Sequence, residues 1–281
     1  MLLGFHVSIA GSIDKSVDRA FENKFTTFQI FTRNPRGWMF SDINKQEVSR
    51  FIKKCNEYKY KYTIAHMPYL PNLASSNEEN YNKSISTLIS EMNRCSILKI
   101  PYLITHLGSH LGKGESIGLK RVINACNTAL VKSDNNVILL LENTAGTKNS
   151  VGSKFENIKF ILDNIENNKR IGVCFDTAHA FAAGYDLRSS EDVEITLNLL
   201  DNIIGFDKVK TIHLNDSKSA FNSHSDRHEH IGLGYIGEEG FRSLLKHKIV
   251  KACPLILETP VDSKRGNLEN LKKVIELAES N

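Results

Sequence analysis

The stretch Ile171-Gly-Val-Cys-Phe-Asp176-Thr-Ala-His179 is a strand-length apolar run that stops at an acid, with an imidazole three residues further on. The same design recurs along the chain. Apolar runs cover Leu2–Val7, Thr27–Thr32, Tyr60–His66, Tyr102–Leu107, Val137–Glu142, Ile171–Asp176, Val209–Leu214 and Pro254–Glu258. Several are continuous rather than alternating, which suits strands covered on both faces, as in a parallel sheet. Amphipathic stretches lie between them. Ser12–Asn23, Ser76–Leu98, Ser190–Ile204 and Leu268–Ala278 carry apolar residues at helical spacing, several behind a Ser or Asp start signal. Eight strand candidates, each followed by a helix candidate, match an α/β fold of the (β/α)8 TIM-barrel type. A doubly wound open sheet is the competing arrangement. No linker-like break interrupts the chain, so a single barrel domain over 1–281 is expected, with its active site at the carboxyl ends of the strands.

Composition narrows the class. The chain has 281 residues, 41% of them hydrophobic and 24% charged, which is ordinary for a globular protein. Its 36 basic against 32 acidic residues give a net charge of +4, too small an excess to imply nucleic acid by itself. Cys55, Cys95, Cys126, Cys174 and Cys253 are odd in number and form no CxxC pair. They read as buried thiols in a reducing, cytoplasmic or nuclear compartment. Neither a signal peptide nor an apolar run near 18 residues is present, so no membrane partner is expected.

Metal-type side chains recur at the strand ends. They are His66, His106, Glu142, Asp176 with His179, His213, and Glu258, joined by Asp226 and His228 in the loop after the seventh strand. In a closed barrel these ends converge on one mouth, so sequence separation is no obstacle to a shared site. A single such residue is more often a hydrogen-bonded structural group. Six consecutive strands ending this way would instead bury many unpaired charges in one place, at several kcal/mol each. Imidazole and carboxylate without thiolate suit zinc, and also manganese or iron. Nine candidate ligands exceed one tetrahedral ion and imply two or three, with a bridging carboxylate.

Phe175-Asp-Thr-Ala-His-Ala-Phe-Ala-Ala-Gly-Tyr-Asp186, His213-Leu-Asn-Asp-Ser-Lys218, Asp226-Arg-His-Glu-His-Ile-Gly232 and the opening Gly4-Phe-His-Val-Ser8 resemble the endonuclease IV family of abasic-site (AP) endonucleases. The resemblance spans nearly the whole chain. It implies a barrel with a trinuclear zinc cluster. His66 and His106 would hold one ion and Glu142 would bridge it to a second, completed by Asp176, His213 and Glu258. His179, Asp226 and His228 would hold the third. The implied reaction is hydrolysis of the DNA backbone 5′ to an abasic site by zinc-activated hydroxide, leaving a 3′-hydroxyl and a 5′-deoxyribose phosphate. Glu142 is the candidate for orienting the attacking group, with Glu258 as the second catalytic carboxylate.

The substrate implied is double-stranded DNA containing abasic sites, whose damaged step unstacks cheaply. By the resemblance, Arg36 in the loop after the second strand and Tyr69-Leu70 in the loop after the third insert at the lesion. Gly37 departs from the family pattern, standing where a larger polar residue is common. Arg227, between two ligand candidates, would contact a phosphate; a salt bridge that fixes the loop is its structural alternative. Gly108-Ser-His-Leu-Gly-Lys113-Gly-Glu lacks Walker spacing and reads as a rim loop. A metal-dependent sugar isomerase or epimerase on a similar barrel is the main rival, and a DNA-damage binder without catalysis the second. Nothing in the sequence marks an oligomer, so a monomer is expected.

Overall fold

The fold is a computed structural model and describes residues 1–39 and 41–280; Phe40 and Asn281, within the expected 1–281 domain, lie outside the described residues. Eight parallel strands form the barrel: β1 (Leu3–Phe5), β2 (Phe28–Phe31), β3 (Thr63–His66), β4 (Tyr102–Thr105), β5 (Ile138–Glu142), β6 (Ile171–Asp176), β7 (Val209–His213) and β10 (Leu255–Leu257). A short antiparallel hairpin, β8 (Asp216–Ser217) with β9 (His228–Glu229), is inserted before the last barrel strand. The hydrogen-bonded order runs β1-β10-β7-β6-β5-β4-β3-β2. The seam between β1 and β2 closes through a parallel bridge between His6 and Gln29, with Val7 N–H donating to the Gln29 carbonyl at 2.7 Å. Close approach at this seam requires glycine in β1, because a Cβ on Gly4 would fall 1.8 Å from the Thr27 carbonyl oxygen.

The connecting helices are α1 (Lys15–Glu22), α2 (Lys45–Glu57), α3 (Glu78–Leu98), α4 (Glu115–Ser133), α5 (Phe155–Asp163), α6 (Thr177–Ala182), α7 (Ser190–Ile203), α8 (Gly237–Lys246), α9 (Lys248–Ala252) and α10 (Asn267–Glu279). Side chains start several of them by satisfying orphan N–H groups. Asn44 accepts from Gln46 and Glu47, Asn77 from Asn80, and Ser189 from Asp192. The start of α3 therefore falls at Asn77 rather than at the expected Ser76. Helix faces and the outer faces of the strands share one large core containing Phe28, Phe51, Phe155, Phe181 and Phe241. All five cysteines are buried and free, and burial pushes the Cys126 and Cys174 thiols up to about 12. No helix among the described residues is long and apolar enough to cross a membrane.

One buried ionic network anchors the loop after β2. Glu91 in α3 is fully buried, 2.7 Å from Arg33 Nε, and accepts a 2.6 Å bond from the Thr32 hydroxyl. Arg94, one turn along α3, donates to the Thr32 hydroxyl and carbonyl and to the Ser41 carbonyl. Removing one partner of a buried ionic network leaves charge uncompensated. Glu91→Ala is therefore expected to lower unfolding free energy by about 3–5 kcal/mol, measured by denaturant titration. A change under about 1 kcal/mol would mean the network contributes little to stability.

Candidate metal centre

Strand parity builds the site. Ile64, Ile104, Leu140, Cys174 and Ile256 come from five strands yet pack together, fully buried, as a separate plug inside the barrel. Side chains on a strand alternate faces, so the next inward position lies two residues on. Those positions are His66, His106, Glu142, Asp176 and Glu258. His213 follows fully buried Thr211 by the same rule. The inward residues therefore form an apolar plug roofed by donors at the carboxyl-end mouth.

The remaining donors are placed locally. Asp176 is the N-cap of α6, its Oδ1 accepting from the His179 N–H at 2.7 Å. This leaves its Oδ2 facing the cluster and sets His179 in the first helical turn. The β8–β9 hairpin carries Asp226 and His228 inward. Its base is held by the Asp216 carboxylate, which accepts from the backbone N–H groups of Ser217, Gly232, Gly234 and Ile236 at 2.8–3.0 Å. A Cβ on Gly234 would lie 2.4 Å from the Ser217 carbonyl oxygen, so this turn requires glycine.

Donor atoms cluster in three groups that could hold metal ions: His66, His106 and Glu142; Glu142, Asp176, His213 and Glu258; and Asp176, His179 and His228. Asp226 adjoins the last group, its Oδ1 lying 3.2 Å from His179 Nε2 and 3.5 Å from His228 Nε2. All nine residues singled out in the sequence are thus brought to one mouth. The partition differs from expectation in two respects, the first being that Asp226 stands beside the third group, where Asp176 takes its place. The second is that both Glu142 and Asp176 belong to two groups, whereas the family resemblance implies Glu142 alone as the bridge.

Hydrogen bonds behind the imidazoles orient them. His66 Nδ1 is 2.7 Å from the Met67 carbonyl, His179 Nδ1 is 2.9 Å from the Asn143 carbonyl, and His228 Nδ1 is 3.3 Å from the Glu258 carbonyl. His213 Nε2 is 2.8 Å from the Gln29 side-chain oxygen. Carbonyl oxygens only accept, so the proton sits on each of those nitrogens. The nitrogens on the cluster side face carboxylates: His66 Nε2 at 3.1 Å from Glu142, His106 Nε2 at 3.0 Å from Glu142, and His213 Nδ1 at 3.1 Å from Glu142 and 3.3 Å from Glu258. A lone pair and a carboxylate oxygen repel unless a proton or a cation lies between them. Buried His228 Nε2 has no hydrogen-bond partner among the described residues, although Asp176 Oδ2 is 3.8 Å away. Oriented imidazoles with outer nitrogens tied to carbonyls, facing shared carboxylates, fit divalent cations of the zinc type.

Charge compensation in the protein alone points the same way. Burial opposes ionisation of Glu142, but His106 and His213 outweigh it and hold the carboxyl well below its usual range. Burial likewise opposes the Glu258 charge, and His213 and His6 reverse the effect. Burial would lower His179 and His213, yet neighbouring acidic groups raise both well above the ordinary imidazole value. Burial also pushes the Asp226 carboxyl up, while His179 and His228 bring it down to about 2. Carboxylates that stay ionised only beside cations are the acceptors a divalent ion would take over, with release of protons.

Three side-chain amides support the cluster and were not singled out in the sequence. Asn143 bonds both the N–H and the carbonyl of Asp176. Asn215 donates to Asp176 Oδ2 at 2.8 Å and accepts from the Glu258 N–H at 2.7 Å. Gln29 reaches Glu258 and His213. Their signal was an amide inside or just past an apolar strand. At the rim, Tyr69 and Leu70 are 65% and 39% exposed, with the Tyr69 ring 5.1 Å from Phe31. The Tyr69 N–H donates to the Pro35 carbonyl, joining this loop to the one that carries exposed Arg36. Arg227 is exposed, and no carboxylate among the described residues pairs with it, so the salt-bridge alternative for it has no support. Two adjoining cavities, about 390 and 360 Å³, share His66, Tyr69, His106, His179 and Asp226 in their walls.

A parallel barrel with a histidine–carboxylate cluster at its mouth defines the class, and residues 17–280 match the family model described as a xylose isomerase-like TIM barrel. Within that class, the chain belongs to the endonuclease IV family. It is 50% identical over 279 residues, 99% of each chain, to "Probable endonuclease 4" of Methanoculleus marisnigri. It superposes on the crystal structure of endonuclease IV from Thermus thermophilus with a TM-score of 0.89 and 32% identity, covering 99% of both chains. A D-tagatose 3-epimerase-like protein, at 20% identity and a TM-score of 0.74, shares the fold.

Proposed function

We propose that this chain is a monomeric, intracellular DNA-repair endonuclease that hydrolyses the phosphodiester bond 5′ to an abasic site, leaving a 3′-hydroxyl and a 5′-deoxyribose phosphate. Three zinc ions would be held by His66, His106, Glu142, Asp176, His179, His213, Asp226, His228 and Glu258; manganese suits the same donors. Bound there, the ions would activate water near neutral pH and neutralise phosphate charge. Glu142 and Asp176, each shared between two donor groups, would fix the spacing of the ions. Glu142, fully buried beneath the mouth, would orient the attacking oxygen. His106 and Asp226, with side chains 45% and 44% exposed, face the side from which a phosphate would arrive. Arg36 and Arg227 would contact backbone phosphates.

The observation that carries this reading is the exposed Tyr69-Leu70 pair directly after ligand strand β3, lining the cavity at the cluster. An exposed aromatic–aliphatic pair at the rim of the cluster has the chemistry of the wedges that enter unstacked base steps. Incubation with duplexes that carry or lack one abasic site, and with ketohexoses, separates the readings. Incision confined to the damaged duplex is expected; turnover of a free sugar with intact abasic DNA would establish the epimerase instead.

Tyr69→Ala is expected to weaken binding to abasic duplex by about 10- to 100-fold, the scale of about 1–3 kcal/mol per stacked base. Fluorescence anisotropy at fixed salt, with the unfolding midpoint measured alongside, checks it. Unchanged affinity would reduce Tyr69 to loop packing.

A further inference from the structure

Gln29 belongs neither to the donor set nor to the rim loops. It is the one polar residue of β2, Phe28-Gln-Ile-Phe31, and is fully buried. Its amide makes three bonds: Nε2 donates to Glu258 Oε1 at 2.7 Å and to His6 Nδ1 at 2.9 Å, and Oε1 accepts from His213 Nε2 at 2.8 Å. Both N–H groups and the oxygen are used, which fixes the orientation of the amide. Because the oxygen cannot donate, the His213 proton is held on Nε2. Nδ1 then presents its lone pair to Glu142 Oε1, Glu258 Oε2 and Asp176 Oδ2 at 3.1, 3.3 and 3.7 Å. The bond to Glu258 Oε1 turns the other oxygen, Oε2, toward that same nitrogen.

We propose that Gln29 is a positioning residue for the Glu142–Asp176–His213–Glu258 group: it sets the His213 tautomer and the Glu258 rotamer, and thereby the affinity of this one group for a divalent cation. The inference rests on the metal reading given above. A second function of Gln29 follows from its place at the β1–β2 seam, where its backbone carbonyl closes the barrel independently of the side chain. Changing the side chain therefore need not open the seam.

The test is zinc retention, read by elemental analysis after dialysis against graded chelator, together with ¹⁵N spectra of the histidine rings. Gln29→Met keeps volume and removes all three bonds. It is expected to lose one ion per chain at roughly 10- to 100-fold lower chelator strength than the wild type, the usual cost of losing an outer partner of a metal ligand. The His213 ring signals should no longer be those of the single Nε2–H tautomer. The other ions should be retained as in the wild type. If Gln29→Met does not fold, Gln29→Ala carries the same two measurements. Unchanged retention of every ion with an unchanged His213 tautomer would overturn the proposal. A wild-type protein that binds no zinc would overturn the metal reading itself.

Discussion

Glu258→Gln is expected to fold, to keep near-native stability and to lose at least about 10³-fold in incision rate, or about 4 kcal/mol of barrier. The substitution is nearly isosteric at a side chain that is 22% exposed, so it leaves no cavity. It exchanges a charged oxygen for an amide in the group shared with Glu142, Asp176 and His213. If the new amide keeps its oxygen toward the Gln29 N–H, its NH2 takes the place of Oε2 beside His213 and can only donate, so it cannot ligate a cation there. Outer partners of a metal ligand typically matter 10- to 100-fold, and removal of the ligand's own charge should exceed that. Single-turnover incision of an abasic duplex at saturating zinc measures the effect. Wild-type turnover with a full complement of zinc would remove Glu258 from the ligand set.

Zinc removal is expected to lower the thermal midpoint by at least about 10 °C, the share of a single ion, while leaving a folded barrel. An ion at 1,000 times its dissociation constant stabilises by about 4 kcal/mol, and a chain of this size shifts by about 2–4 °C per kcal/mol. The barrel persists because its stability comes from the plug and the surrounding core, neither of which contains a donor. Without cations, Glu142, Asp176 and Glu258 are compensated only by imidazoles, with His66, His106 and His213 facing Glu142 at 3.0–3.1 Å. Calorimetry before and after chelation, followed by zinc addition, reads the shift and its reversal. A midpoint indifferent to zinc would mean that the cluster binds no ion tightly.

The barrel was legible because eight strand-length runs, several of them continuously apolar, alternate with helical stretches, and because the donors sit where strand parity turns them inward. Ile171–Asp176 was read to its last residue. Other runs extend past their strands, such as Tyr60–His66 against Thr63–His66, because loop tyrosines lengthen the strand-like pattern without lengthening the ladder. The donor set was legible because six consecutive strands end in an acid or an imidazole, a recurrence that structural hydrogen bonding of single residues does not explain. Its supporting bonds were not. Gln29, Asn143 and Asn215 act through orientation, and an amide's partner depends on strands that meet only in three dimensions. The double use of Asp176, helix cap on one oxygen and shared donor on the other, follows from the Asp-x-x-His spacing only once a helix is known to start there. The buried Glu91–Arg33 pair joins residues far apart in the chain, and neither carries a local signal.

The most direct test is incision of a duplex carrying one abasic site, with and without slow chelation and with zinc restored. Nicking on the 5′ side of the lesion that leaves a 3′-hydroxyl, disappears on chelation and returns with zinc is the predicted result. Intact abasic DNA in the presence of protein shown by elemental analysis to hold zinc would contradict the account.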